Sequence, residues 1–174
     1  MAISLDHLKN GIVDFIQRET DKQYKEFVNE VTAKAQIKTF ECNQCSHDNV
    51  VPEHSTVKGR LCKLKHCHCI QNRLRRKCPN GNACGIFYDL ICDQHTKKAP
   101  NFTNTNIDKW STSSFEYIKC FIPTPGYKSK CSFDDLDLLA LLNICQNNER
   151  LKKHFDSPDI HSTIERVSCL ICFI

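Results

Sequence analysis

Between Cys62 and His95 the chain reads CKLKHCHCIQNRLRRKCPNGNACGIFYDLICDQH. Cys62, Cys67, Cys69, Cys78, Cys84 and Cys92 fall in this stretch, with His66, His68 and His95 among them. Soft thiolates at this density suit a structural zinc ion, which takes four Cys or His ligands as two close pairs brought together by a turn. The pairs expected here are Cys62/Cys67 and Cys78/Cys84. Pro79-Asn80-Gly81-Asn82 supplies turn residues inside the second pair. The competing reading is a set of small core thiols. It is weak for these four polar-flanked cysteines and strong for Cys92, Cys120 and Cys145, which sit in apolar, helix-like surroundings.

Upstream, Cys42-Asn43-Gln44-Cys45 has the tight C-x2-C spacing, followed by His47 and His54. It is half of another metal site or part of the same one. Cys42, Cys45, His66, Cys69 and His95 are therefore the alternate ligands. A surface or capping role for His95 competes with ligation. Cys42, Cys45, Cys62, His66 and Cys69 also resemble the first ligands of a RING finger. Asn72 stands where the next cysteine belongs, so that pattern fails at its sixth ligand.

Thirteen cysteines occur in 174 residues. The N-terminus lacks the basic and apolar regions of a secretory signal, and no apolar run reaches membrane-spanning length. The expected setting is intracellular, cytoplasmic or nuclear, with reduced thiols available for metal rather than disulfides. On that reading the Asn101-Phe102-Thr103 sequon carries no sugar, and no membrane partner is expected.

Net charge is +4 but unevenly placed. No acidic residue lies between His54 and Tyr88. Lys58, Arg60, Lys63, Lys65, Arg73, Arg75, Arg76 and Lys77 form a basic patch that would attract phosphates, RNA included. Some of that charge would balance an anionic zinc–thiolate site. Arg73–Lys77 also has the composition of a nuclear localisation patch.

The remainder reads as helices. Leu5, Leu8, Ile12, Phe15 and Ile16 share one helical face, and Tyr24, Phe27, Val28 and Val31 share another, which suggests an N-terminal helical hairpin over residues 1–38. Residues 39–95 are the Cys/His-rich basic module. A short helix is expected from Gly85 to His95, loop over 96–113, and a short helix from Ser114 ended by Pro123. Ser132 is the expected N-cap of an apolar helix over Phe133–Cys145, with Asp134, Asp135 and Asp137 as helix-start charges rather than catalytic carboxylates. Ser157-Pro158 opens a last helix. The apolar end Cys169–Ile174 is expected to pack into the core, to form a homodimer contact, or to mark a truncated or spliced product. The fold class is mainly α, with an irregular Cys-rich insert.

Several elements together carry a resemblance. They are the cysteine cluster, Asn106-Ile-Asp-Lys-Trp110, Phe115-Glu-Tyr-Ile-Lys-Cys-Phe-Ile-Pro123 and Asp134-Asp-Leu-Asp-Leu-Leu-Ala-Leu-Leu-Asn-Ile-Cys145. This resembles a protein family typified by a vertebrate X-chromosome open-reading-frame product with many bivalve relatives. After Trp110 it is also similar to the HEPN-like domain of DZIP3-type ubiquitin ligases. The resemblance puts Trp110, Glu116, Lys119 and Pro123 at motif positions and implies a HEPN-like segment over 96–174. HEPN ribonucleases use a late Arg-x4–6-His motif. Here the residues after Cys169 are Leu170-Ile-Cys-Phe-Ile174, and His154 and His161 lie upstream without that spacing. The expectation is a non-catalytic, zinc-stabilised binding or adaptor module whose partner is RNA or protein. A RING-like or DZIP3-related ubiquitin-ligase component is the alternative.

Overall fold

The computed structural model describes residues 5–51 and 78–155. Its spine is α1, a single helix Leu5–Ala35 of 31 residues. This corrects the expected hairpin. Val13, Ile16, Thr20, Gln23, Phe27 and Val31 are all buried and recur every three or four residues. The seam therefore runs unbroken through residues 19–21, where no glycine or proline could turn the chain. Two seam positions are polar, which hides the continuity from an apolar-only pattern. Each fully buried Ile, Val or Phe on it stabilises the fold by about 1.5–3 kcal/mol.

The helix ends on Gln36, which has φ 55°, and the Ile37 N–H donates to Thr32 O at 3.1 Å. A left-handed residue with this return bond is a standard helix stop. A short α2 (His47–Val50) follows an irregular stretch. The next described helix is α3 (Ala83–Gln94), which packs on α1. Two 3-10 turns, Phe102–Asn104 and Ile107–Lys109, shape the region expected to be loop. Next come α4 (Ser114–Ile118) and a 3-10 turn Lys119–Phe121, stopped before Pro123 as the sequence suggests.

The apolar helix begins later than expected. Ser132 opens only a 3-10 turn, Phe133–Asp135, with Asp135 accepting the Cys131 and Ser132 N–H groups. Leu136 is extended, and Asp137 then caps α5 (Leu138–Asn147) by accepting the Ala140 N–H at 2.7 Å. Asn148 caps a final short α6 (Glu149–Lys152). No strand occurs among the described residues, only an isolated bridge between His95 and Asn148. The helix expected from Ser157 and the apolar end Cys169–Ile174 lie outside the described residues.

One hydrophobic core joins all three expected segments. Phe87 of α3 is its hub. Its ring meets Tyr24, Phe27, Phe40, Trp110 and Tyr117 with centroids 5.4–6.0 Å apart. The Tyr24 hydroxyl donates to Trp110 O, and burial pushes that phenol up to about 12. No helix among the described residues is long and apolar enough to cross a membrane.

Candidate metal centre

The sulfurs of Cys42, Cys45, Cys78 and Cys84 all lie within 4.8 Å of one another. The Cys78 and Cys42 sulfurs are 3.7 Å apart. A tetrahedral ion with thiolates about 2.3 Å away holds its sulfurs about 3.8 Å from each other. The cluster therefore has the dimensions of a four-thiolate metal site. None of the four is paired as a disulfide.

Local sequence explains each position. Cys42 and Cys45 bracket a tight knuckle. The Cys42 backbone N–H donates to the Ser111 hydroxyl, which in turn donates to Cys42 O. Asn49 Nδ2 donates to the Cys45 sulfur at 3.3 Å, while its Oδ1 accepts the Ser46 N–H. Cys78 precedes the turn anticipated at Pro79–Asn82. The Asn80 side chain ties that turn to Thr39 O and Glu41 O, holding the second thiol pair against the first. Gly81 has φ +55°, and a Cβ there would come within 2.8 Å of Ala35 O, so the turn nests on the end of α1 only as glycine. Cys84 lies in the first turn of α3, where the helix dipole favours a thiolate.

Electrostatics show why these four groups suit a cation. Burial pushes the Cys45 thiol up to about 11 and the Cys84 thiol far above the usual range. Burial also opposes ionisation of Cys42, but the Gln44 N–H and the neighbouring thiols outweigh it and lower that thiol. Burial thus opposes charge on Cys45 and Cys84 while Cys42 is favoured as a thiolate. A divalent ion removes the conflict by replacing the protons. Four thiolates leave no open coordination position, which is the pattern of a structural site.

The sequence reading paired Cys78/Cys84 with Cys62/Cys67. Within the described residues their neighbours are Cys42 and Cys45, which stood among the alternates. Cys62, Cys67, His66 and Cys69 lie outside the described residues, as do all eight basic residues of the patch from Lys58 to Lys77. His95 is not in the thiol group. It is buried, its ring stacks on Phe121 at 5.5 Å, and Nδ1 accepts the Lys97 N–H. Burial, with Lys97 and Lys98 nearby, holds that imidazole down at about 4. The signal for the observed pairing was the C-x2-C knuckle at 42–45, the tightest thiol spacing upstream of Cys62.

Trp110, Glu116 and Lys119 meet in a separate buried network, and Pro123 lies outside it, exposed. Lys119 is fully buried, and its Nζ donates to Glu116 Oε1, Lys128 O and Lys130 O at 3.0–3.2 Å. The second Glu116 oxygen accepts the Asn106 N–H at 2.7 Å. Trp110 Nε1 donates to Thr105 Oγ1, whose hydroxyl donates to Glu116 O. Pro123 O accepts from Asn101 Nδ2. The network binds the loops on either side of α4 to one another, with Lys119 donating to three oxygens.

The domain family described as Domain of unknown function (DUF4559) matches residues 18–167. The chain belongs to this family. The matched span of DUF4559 includes the whole thiol cluster and the whole Glu116–Lys119 network. No curated protein and no solved structure matches the chain.

Proposed function

We propose that this DUF4559 chain is a non-catalytic binding module stabilised by one zinc ion at Cys42, Cys45, Cys78 and Cys84, with RNA as its partner. The carrying observation is the four-thiol cluster and what lies between its halves. Between Val51 and Cys78 the sequence places eight Lys/Arg residues and one acidic residue, Glu53. The positive excess of the chain thus belongs to the segment whose two ends the ion would fasten. Fastening both ends lowers the entropy lost when basic side chains gather on a phosphate backbone. All-thiolate ligation favours zinc over harder ions. An adaptor in this form works inside the cell, where the remaining thiols stay reduced.

The test is elemental analysis of the dialysed protein, followed by titration with single-stranded RNA at two salt concentrations. One zinc per chain is expected, with RNA affinity that falls steeply as salt rises and is lost on chelation. A metal-free folded chain, or binding indifferent to salt, would remove the proposal. Two zinc ions per chain together with ubiquitin ladders in an autoubiquitination assay would favour the ligase-component alternative.

A further inference from the structure

We infer that Cys42 is an oxidative modification site, at which a peroxide converts Cys42 and Cys78 to a disulfide and expels the metal. This rests on the metal reading above. The four thiols are not equivalent. Cys42 is 9% exposed, against 3%, 3% and 0% for Cys45, Cys78 and Cys84. A small polar oxidant therefore meets Cys42 first. The Cys78 sulfur lies 3.7 Å from the Cys42 sulfur. Both belong to irregular backbone, so the roughly 1.7 Å closure to a disulfide bond needs no helix to unwind. Cys84 is committed to α3, and Cys45 is held by Asn49.

The chemistry balances with the peroxide as the only oxidant. The Cys42 thiolate sulfur attacks one peroxide oxygen, breaks the O–O bond and becomes a sulfenic acid, releasing hydroxide. The Cys78 thiolate then attacks that sulfur and displaces a second hydroxide. Two thiolates and one hydrogen peroxide give one disulfide and two hydroxides, which two protons convert to water. The ion keeps its oxidation state, loses two of four ligands and leaves as a dication.

The experiment uses the full chain with its metal content already measured. Hydrogen peroxide is added stepwise, released metal is read with a chromogenic indicator, and disulfides are mapped by differential alkylation and mass spectrometry. The expected result is one equivalent of metal released in step with a Cys42–Cys78 disulfide, restored by dithiothreitol and added zinc. Cys131→Ser, which removes the exposed thiol among the described residues, should leave that release unchanged. Retention of metal while Cys131 oxidises, a different first disulfide, or loss of release in Cys131→Ser would each overturn the inference. A chain without metal at the outset sinks the metal reading instead. In such a chain a first disulfide between Cys42 and Cys78 still upholds the modification site, and any other pairing removes it.

Discussion

Two polar clusters are buried in this protein, and they are completed differently. Around Lys119, the chain supplies both charges and the partner atoms: the ammonium has Glu116 and two carbonyls, and the carboxylate has backbone and side-chain donors. At Cys42, Cys45, Cys78 and Cys84, the chain supplies four ligands of one kind and no positive partner among them. The first cluster is a closed account of donors and acceptors, so it fixes geometry by itself. The second has the donor set and spacing of a cation site. Both hold loops that carry little regular structure. One is complete within the chain, and the other has the geometry to hold an ion.

That contrast can be broken most strongly from the metal side. Removing the ion with a chelator, or substituting Cys84→Ser, should cost on the order of 10 kcal/mol of the folding free energy supplied by a structural zinc. Hydrogen exchange should rise first at residues 39–51 and 78–86, with the amides around Asn106 and Lys130 protected for longer. Uniform protection after chelation would show that the thiol cluster does not depend on an ion.

The opposite perturbation is Lys119→Met. It leaves the Glu116 carboxylate buried without its counter-charge, a loss of about 3–5 kcal/mol in urea unfolding. Zinc content should be unchanged while the variant is folded. A variant as stable as the parent would mean that the ion pair is dispensable to packing.

A smaller effect separates the clusters by pH. His95 is neutral in the fold, with its affinity for protons held down at about 4 against 6.5 for the free side chain. The unfolded chain binds that proton more readily. The contribution of His95 is therefore fully present above pH 6.5 and is lost as pH falls from 6.5 toward 4. His95→Gln should flatten the decline of melting temperature over that interval. A slope identical to the parent would place the acid sensitivity elsewhere, the metal thiolates included. The smallest effect is expected for Asp137→Ala, which removes the cap of α5 and costs about 1 kcal/mol, measured in the same urea titration. A loss near zero would return the helix start to Ser132.

Much of the fold was legible. The turn at Pro79–Asn82, the helix leaving it, the short helix stopped by Pro123 and the buried state of Cys120 and Cys145 follow from spacing and residue type. The continuity of α1 is hidden in the sequence because Thr20 and Gln23 continue its seam with polar side chains. Gln23 is held inside by hydrogen bonds from Tyr117 and Asn148, partners remote in sequence, whereas the buried Thr20 hydroxyl has no hydrogen-bond partner among the described residues. The helix start at Asp137 was hidden by three nearby carboxylates, any of which can cap. Only the backbone path decides which one does.

The sequence by itself determined that this is a helical, thiol-rich chain with a basic segment, because periodicity and residue chemistry are local properties. It also marked the cysteines that could ligate a soft metal. Which four thiols share a site was decided by tertiary structure. Cys42 and Cys78 are 36 positions apart. They meet because the end of α1, the Gly81 turn and the Asn80 side chain bring their two stretches of backbone together.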